Sequence, residues 1–427
     1  MSAGDLLVVA GEASGDQHGA RMLRELKRLR PGLRAFGLGS DQLRAEGVEL
    51  VADSREISVV GISEALGILP RAREIQDLLV AACERRRPTV AVLIDFPEFN
   101  LRLARKLKWL GIPVVYYISP QVWAWRKGRV RAISELVDRM LVLFAFEADF
   151  YRHHRVPVTH VGHPLVDEIP ALAGAWDSPP GARPSGPPAR FQLALMPGSR
   201  RSEIRALLPR MLAASRALQR QAEVEAVLIQ APSVTAEFLA PFLAAHEAET
   251  GKPLTVVRAD RFEAIAASHL ALCASGTATL EVGLLGTPML VLYRLGAWSY
   301  LLARALVRLP HFSLVNLVLG RGAVPELMQG ATAPENIAAR ALELLQSPAR
   351  IATMRRDLAA LRPALGRSGA SQRAAREVAA FLPEKRTAAS ETTDPVLPAG
   401  FVGANGALAG TGARRASRTA ASRRGSA

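Results

Sequence analysis

The sequence predicts an α/β protein built from two doubly wound, parallel-sheet domains facing each other across a cleft. Three observations carry this. Short, continuous Val/Ile/Leu runs recur along the chain with helical patterns between them, the mark of a parallel sheet covered on both faces. A chain of 427 residues is too long for one ordinary core. A stretch rich in Pro, Gly and Ala, residues 171–190 (ALAGAWDSPPGARPSGPPAR), interrupts the alternation, which then restarts.

LLVVAG (6–11) reads as the first buried strand, followed by a glycine turn and a helix near 18–30. LRAFGLGS (33–40) reads as a second strand and turn, with a helix near 41–47. TVAVLID (89–95) and PVVYYIS (113–119) are further strands with helix 99–110 between them, and RMLVLF (139–144) and VTHVGHP (158–164) follow. Beyond the linker, FQLALMPGSR (191–200) leads into helix 202–221, and EAVLIQAP (225–232) into helix 233–248. LTVVRA (254–259), HLALCASG (269–276) and PMLVLYR (288–294) complete the strands, and helices 334–347, 350–362 and 371–382 come last. The expected boundaries are an N-terminal domain at 1–170, the linker, and a C-terminal domain at 191–383 whose last helices pack back on the first. Residues 384–427 carry almost no large apolar side chains and read as a disordered basic tail.

The chain is 49% hydrophobic and 22% charged, which suits sizeable cores. Its 54 Lys+Arg against 39 Asp+Glu leave +15, of which +4 lies in the tail. Such a balance suggests an anionic partner: nucleic acid, a phosphorylated substrate or an anionic membrane surface. Aromatics make up only 5% and the basic residues are scattered, so stacking platforms are few and nucleic acid is disfavoured. Cys83 and Cys273 stand in apolar contexts and read as buried thiols in a reducing compartment. The N-terminus lacks a secretory pattern, and no run of about 18 apolar residues exists. The expectation is a cytoplasmic chain whose membrane contact, if any, is peripheral.

Several motifs sit where strands end. GEASGDQHGA (11–20) follows the first strand, but its glycines lack the G-x-G-x-x-G spacing and no acid ends the second strand. This argues against a nicotinamide cofactor. The segment reads either as a tight turn or as a ligand-facing loop with Ser14 and Asp16 as caps. In LALMPGSRRSEI (193–204), Gly198 admits close backbone approach, Ser199 donates to an anion and Arg200 adds a fork of donors. That suits a diphosphate; the bland reading is a capped turn. In ASGTATLEVGLLGTP (274–288), Ser275, Gly276 and Thr277 open a helix suited to phosphate. Glu281 stands over its first turn, to accept ribose hydroxyls or to offset the helix dipole.

Asp95 is the strongest single acid, because it closes an apolar strand at the cleft edge, where burial raises its pKa toward that of a useful general base. Glu98 and Asn100 lie just beyond, and capping of the next helix is the alternative role for Asp95. His163 is a second candidate for acid/base or phosphate contact, with a structural role as the plain alternative; His18 is similar. Neither C-x-x-C, H-E-x-x-H nor Asp-x-Asp occurs, so no metal and no cofactor is expected, and protein groups must stabilise any departing diphosphate. In YYISPQVWAWRKGRV (116–130), Gln121 is placed to reach a sugar hydroxyl, Trp123 and Trp125 to form a lip, and Arg126 and Lys127 to meet phosphate or membrane. Residues 59–73 and 297–311 mix large apolar side chains with arginines, as an amphipathic surface helix does or an ordinary packed one.

Seven stretches taken together resemble the lipid-A-disaccharide synthase family, in the family's order and over roughly residues 5–382: VAGEASGDQHGA, IDFPEFN, YYISPQVWAWRKGRV, VGHPLVDE, LMPGSRRSE, SGTATLE and SLVNLVLGR. The resemblance implies a GT-B glycosyltransferase with its active site between two Rossmann-like domains. It implies transfer of 2,3-diacylglucosamine from UDP to 2,3-diacylglucosamine 1-phosphate, giving the β-1,6 disaccharide precursor of lipid A. The first domain then takes the acceptor and the second takes UDP, at the inner face of the inner membrane. Asp95 matches the family's essential acid and base, Arg200 the arginine after Gly-Ser, Glu281 the acid of the SGTA-x-LE motif, and Asn316 the asparagine of Ser-Leu-x-Asn-Leu. Glu98 stands where many members have Asp. The linker and the tail match nothing in the family. Two other readings remain open at this point: a UDP-N-acetylglucosamine epimerase on the same fold, and a non-enzymatic membrane- or nucleic-acid-binding protein. The sequence sets no oligomeric state.

Overall fold

The computed structural model describes residues 5–57, 65–122, 128–169, 190–294 and 310–383. The linker, the tail, Trp123, Trp125, Arg126, Lys127 and the greater part of 297–311 lie outside the described residues. Within 59–73 the described part opens a helix, Ala65–Arg86, whose Arg71 pairs with Glu56 and Glu74.

Seven parallel strands form the first sheet, in the order β3-β2-β1-β4-β5-β6-β7. They are β1 (Asp5–Ala10), β2 (Arg34–Gly39), β3 (Val48–Asp53), β4 (Val90–Ile94), β5 (Val114–Tyr117), β6 (Arg139–Val142) and β7 (Val158–His160). Six parallel strands form the second, in the order β10-β9-β8-β11-β12-β13. They are β8 (Phe191–Met196), β9 (Val224–Ile229), β10 (Thr255–Val257), β11 (Leu270–Ala274), β12 (Met289–Tyr293) and β13 (Glu326–Met328). Both sheets thus reverse direction between their first and fourth strands, and ligands bind at such switch points, beyond the carboxyl ends of the strands. Leu6 to Ala10 and Val90 to Ile94 are fully buried, because helices cover both faces, and this is why those runs read as continuous apolar strings. The edge strands β3 and β13 were not legible: β3 carries Glu49 and Asp53, and β13 spans three residues.

Six helices matter most for the site: α1 (Ala13–Leu29), α2 (Asp41–Ala45), α3 (Ala65–Arg86) and α4 (Pro97–Trp109) on the first sheet. On the second they are α5 (Arg201–Gln219) after β8 and α6 (Thr277–Leu284) after β11. Gly11 and Gly19 are packing residues. A Cβ on Gly19 would lie 2.6 Å from Ile94 Cδ1, so its absence lets α1 lie close on β4. The final helix, α7 (Ala370–Ala379), returns to the first sheet and packs on α1. Arg373 Nε donates to Val161 O at 2.8 Å, Arg362 Nη2 to Ile169 O at 2.7 Å, and the Asp167 carboxylate accepts the N–H groups of Gly369 and Ala370.

Candidate active site

β4 ends at Ile94, and the chain then turns sharply: Asp95 has φ +46° and Phe96 +48°, two successive non-glycine residues in the left-handed region. Gly11 makes room for this turn, since a Cβ there would lie 2.2 Å from the Phe96 ring. The Asp95 N–H donates to Tyr117 O at 3.0 Å. Its carbonyl accepts from Tyr116 Oη at 2.5 Å and Asn100 Nδ2 at 2.7 Å. α4 begins at Pro97 with Phe96 as its N-cap residue and no side-chain cap, so the Asp95 carboxylate does not cap it. Burial, followed by repulsion from Glu12, pushes that carboxyl up to about 6, against the pull of the Phe96 N–H and of Arg200.

Arg200 comes from the other sheet. It precedes α5, and although burial opposes its charge, Glu203, Glu12 and Tyr293 hold its pKa raised. Gly198 has φ +109°. The Glu203 carboxylate lies over it, accepting from the N–H groups of Ser199 at 3.3 Å and Arg200 at 3.4 Å and from Arg200 Nη1 at 3.1 Å. The loop is thus an anion nest, filled here by the chain's own carboxylate.

The second loop of this domain follows β11. Ser275 Oγ donates to Phe312 O at 3.0 Å, which ties the hydroxyl to the 310–313 segment. Gly276 faces open space, with no atom within 4 Å of where a Cβ would stand, and α6 begins at Thr277. Glu281 lies 3.5 Å from Arg261; burial raises its pKa, with Arg261 opposing and Glu168 adding.

Several sequence candidates have other work. Asn316 is buried, with Nδ2 donating to Val324 O and Glu326 Oε1 and Oδ1 accepting from Val324 N, so it fastens a loop. Asp16 is buried and accepts from the N–H groups of Ser40, Gln42 and Leu43 and from Ser40 Oγ, so it caps α2 and not a ligand loop. Ser14 is exposed in the first turn of α1, whose N-cap residue is Glu12. His163 is buried and pushed down to about 3 by burial and then by His18, and its Nδ1 accepts from Leu165 N. It is a neutral structural ring, not a phosphate-binding cation. Glu98 is exposed and forks with Arg129 at 2.7 and 3.1 Å. Gln121 is exposed beside Pro120, in a loop fastened by Ser119 Oγ to Glu147 Oε1 at 3.0 Å. Cys83 and Cys273 are buried, as expected. Glu12 and Glu203 were missed. The first acid after a buried strand and the capping-box spacing from Arg200 to Glu203 were the available signals.

The model of the Lipid-A-disaccharide synthetase family matches residues 6–381, both sheets and every site residue above. The chain belongs to this family. A lipid-A-disaccharide synthase of Anaeromyxobacter sp. (strain K) is 46% identical over 375 residues, 87% of this chain and 96% of that one. One of Myxococcus xanthus (strain DK1622) is 44% identical over 384 residues, 89% and 98% of the two chains. The lipid-A-disaccharide synthase family makes this chain a glycosyltransferase of lipid A biosynthesis. Two solved structures share the fold. A putative UDP-N-acetylglucosamine 2-epimerase from Listeria monocytogenes has a TM-score of 0.58 at 12% identity, covering 89% of this chain and 96% of that one. The glycotransferase of kitacinnamycin has 0.55 at 18%, covering 90% and 100%. The two-sheet architecture is GT-B, and the epimerases are neighbours in fold alone. Among the described residues, no helix is long and apolar enough to cross a membrane.

Proposed function

We propose that the protein transfers 2,3-diacylglucosamine from its UDP donor to 2,3-diacylglucosamine 1-phosphate, with inversion, releasing UDP and the β-1,6 lipid A disaccharide 1-phosphate. The observation that carries the mechanism is Asp95, a carboxyl raised to about 6 with Arg200 of the other sheet acting on it. Such a group is ionised at neutral pH and still basic enough to take a proton.

The acceptor lies on the side of the first sheet. Asp95 takes the proton of its 6-hydroxyl as that oxygen attacks C1 of the donor sugar. The bond from C1 to the diphosphate oxygen breaks on the opposite face, and its electron pair leaves with UDP. Arg200, the N–H groups of the 198–200 loop and the start of α6 at Ser275, Gly276 and Thr277 stabilise the developing charge. Glu281 accepts from the ribose. Ser14, Glu98, Gln121, Trp125 and Arg126 are the acceptor-side candidates; Asn316, expected on the UDP side, and Asp16 and His163, expected beside the acceptor, shape the site in this reading through the contacts described above.

Both substrates carry acyl chains and the acceptor a phosphate. A chain of net charge +15 suits peripheral docking on an anionic inner leaflet from the cytoplasm. The test is disaccharide formation by purified protein from the UDP-linked diacyl sugar, with Asp95→Asn alongside. Near-wild-type turnover by that variant would remove Asp95 as the base. Epimerisation of UDP-N-acetylglucosamine with no disaccharide formed would remove the transferase assignment.

A further inference from the structure

The carbonyl of Asp95 is gripped from two directions. Tyr116, on β5, sends its hydroxyl past the end of β4 to this oxygen at 2.5 Å. Asn100, in the first turn of α4, donates to it at 2.7 Å and to Ile94 O at 3.1 Å. Tyr116 and Asn100 are both fully buried, at 0% exposure. The carbonyl they hold belongs to the first of two adjacent residues in the left-handed region, a conformation that a side-chain-bearing backbone leaves unless its surroundings impose it. Rotating the peptide back to an ordinary conformation would turn the oxygen away, taking the acceptor from the Tyr116 hydroxyl and leaving Asn100 Nδ2 with Ile94 O alone. A core amide and phenol would then lack water to replace the lost acceptor.

We propose that Tyr116 and Asn100 are positioning residues, which lock the Asp95–Phe96 backbone in its left-handed turn and so aim the Asp95 carboxylate into the cleft. Their hydrogen bonds to Asp95 reach its carbonyl oxygen and not its carboxylate. They act on turnover through where the base points, not through substrate binding. The inference rests on Asp95 being the base.

The experiment compares Tyr116→Phe, Asn100→Ala and Asp95→Asn with the wild-type protein in the disaccharide assay, with thermal melts to confirm folding. Tyr116→Phe removes one oxygen and keeps the ring. If the lock is real, kcat falls on the order of tenfold to a hundredfold in each folded positioning variant, the loss a small misplacement of a reacting group produces. KM for both substrates stays within about threefold, and the acid limb of the kcat/KM profile moves because the carboxylate sits in a changed field. A folded Tyr116→Phe with kcat within about twofold of wild type and an unmoved limb, beside an inactive Asp95→Asn, would overturn the lock and leave the base intact. Turnover retained by Asp95→Asn would overturn the base assignment and the lock with it.

Discussion

Asp95 and Arg200 stand on different sheets, yet the charge of Arg200 acts on the Asp95 carboxyl and pulls its pKa down against burial and Glu12. The proposed base and the group proposed to hold the leaving diphosphate are therefore coupled before substrate arrives. Arg200→Gln removes the pull, so the Asp95 pKa should rise above its present value of about 6. The acid limb of kcat/KM, measured between roughly pH 5 and 8, should move to higher pH while donor KM rises. A limb that stays in place, or moves down, would show that the two charges do not communicate.

The same carboxyl weighs on stability. Its folded pKa, about 6, lies above the ordinary 3.8, so the folded state prefers it protonated. That preference favours folding at pH values below the ordinary pKa and fades as pH rises through about 6. Asp95→Asn should accordingly be more stable than wild type at pH 8, on the order of 1–2 kcal/mol given the partial exposure of the group, and nearly equal to it at about pH 4. Urea melts at the two pH values measure the difference. A variant less stable at pH 8 than wild type would contradict burial as the cause of the shift. A gain in stability with loss of turnover is the expected signature of an active-site charge.

The outline of the fold was legible wherever a strand is buried on both faces, because the apolar run is then continuous and its ends are marked by Gly, Ser or Asp. Asp95 was legible for that reason. What failed was partner choice over distance. The motif places Asp16 as a cap of its own loop, whereas the helix whose N–H groups it accepts begins 25 residues further on, at Asp41. Asn316 is marked in the sequence only by its Ser-Leu-x-Asn-Leu motif; Val324 and Glu326, which satisfy its amide, are brought there by the return of the chain into β13. Burial first, and then His18 of α1, push the His163 ring down. Spacing within a motif says nothing of such neighbours.

Those two histidines should make the protein acid-sensitive. Burial, and then Arg21, lowers His18 to about 4, and burial, and then His18, lowers His163 to about 3, from an ordinary 6.5. Depressed histidines leave stability intact above the ordinary pKa and remove it as pH falls toward the folded value. Each should cost on the order of 2 kcal/mol between about pH 6.5 and 4.5. His163→Asn keeps an acceptor for the Leu165 N–H and cannot be protonated, so its stability should fall less steeply over that range. An unchanged slope in denaturant melts would mean that the titrating groups lie elsewhere.

Gly11 tests the turn from outside the hydrogen bonds that hold it. A methyl group at this position would sit 2.2 Å from Cδ1 and 2.4 Å from Cγ of the Phe96 ring, distances no pair of carbons tolerates. The ring also packs on Phe99 at 5.5 Å between centroids, so it has little room to retreat, and its motion carries the neighbouring Asp95 backbone. Gly11→Ala should destabilise by about 1–3 kcal/mol, the usual result of overpacking. It should also lower kcat on the order of tenfold or more, because the proposed base, Asp95, is displaced as the ring moves. Gly15 is the control, since a Cβ there would meet Ile94 Cγ2 at 3.5 Å, an ordinary contact, and Gly15→Ala should leave turnover within about twofold. Equal loss in both variants would assign the effect to general damage where β1 passes into α1; loss confined to Gly11→Ala ties turnover to the Phe96 ring and the carboxylate beside it.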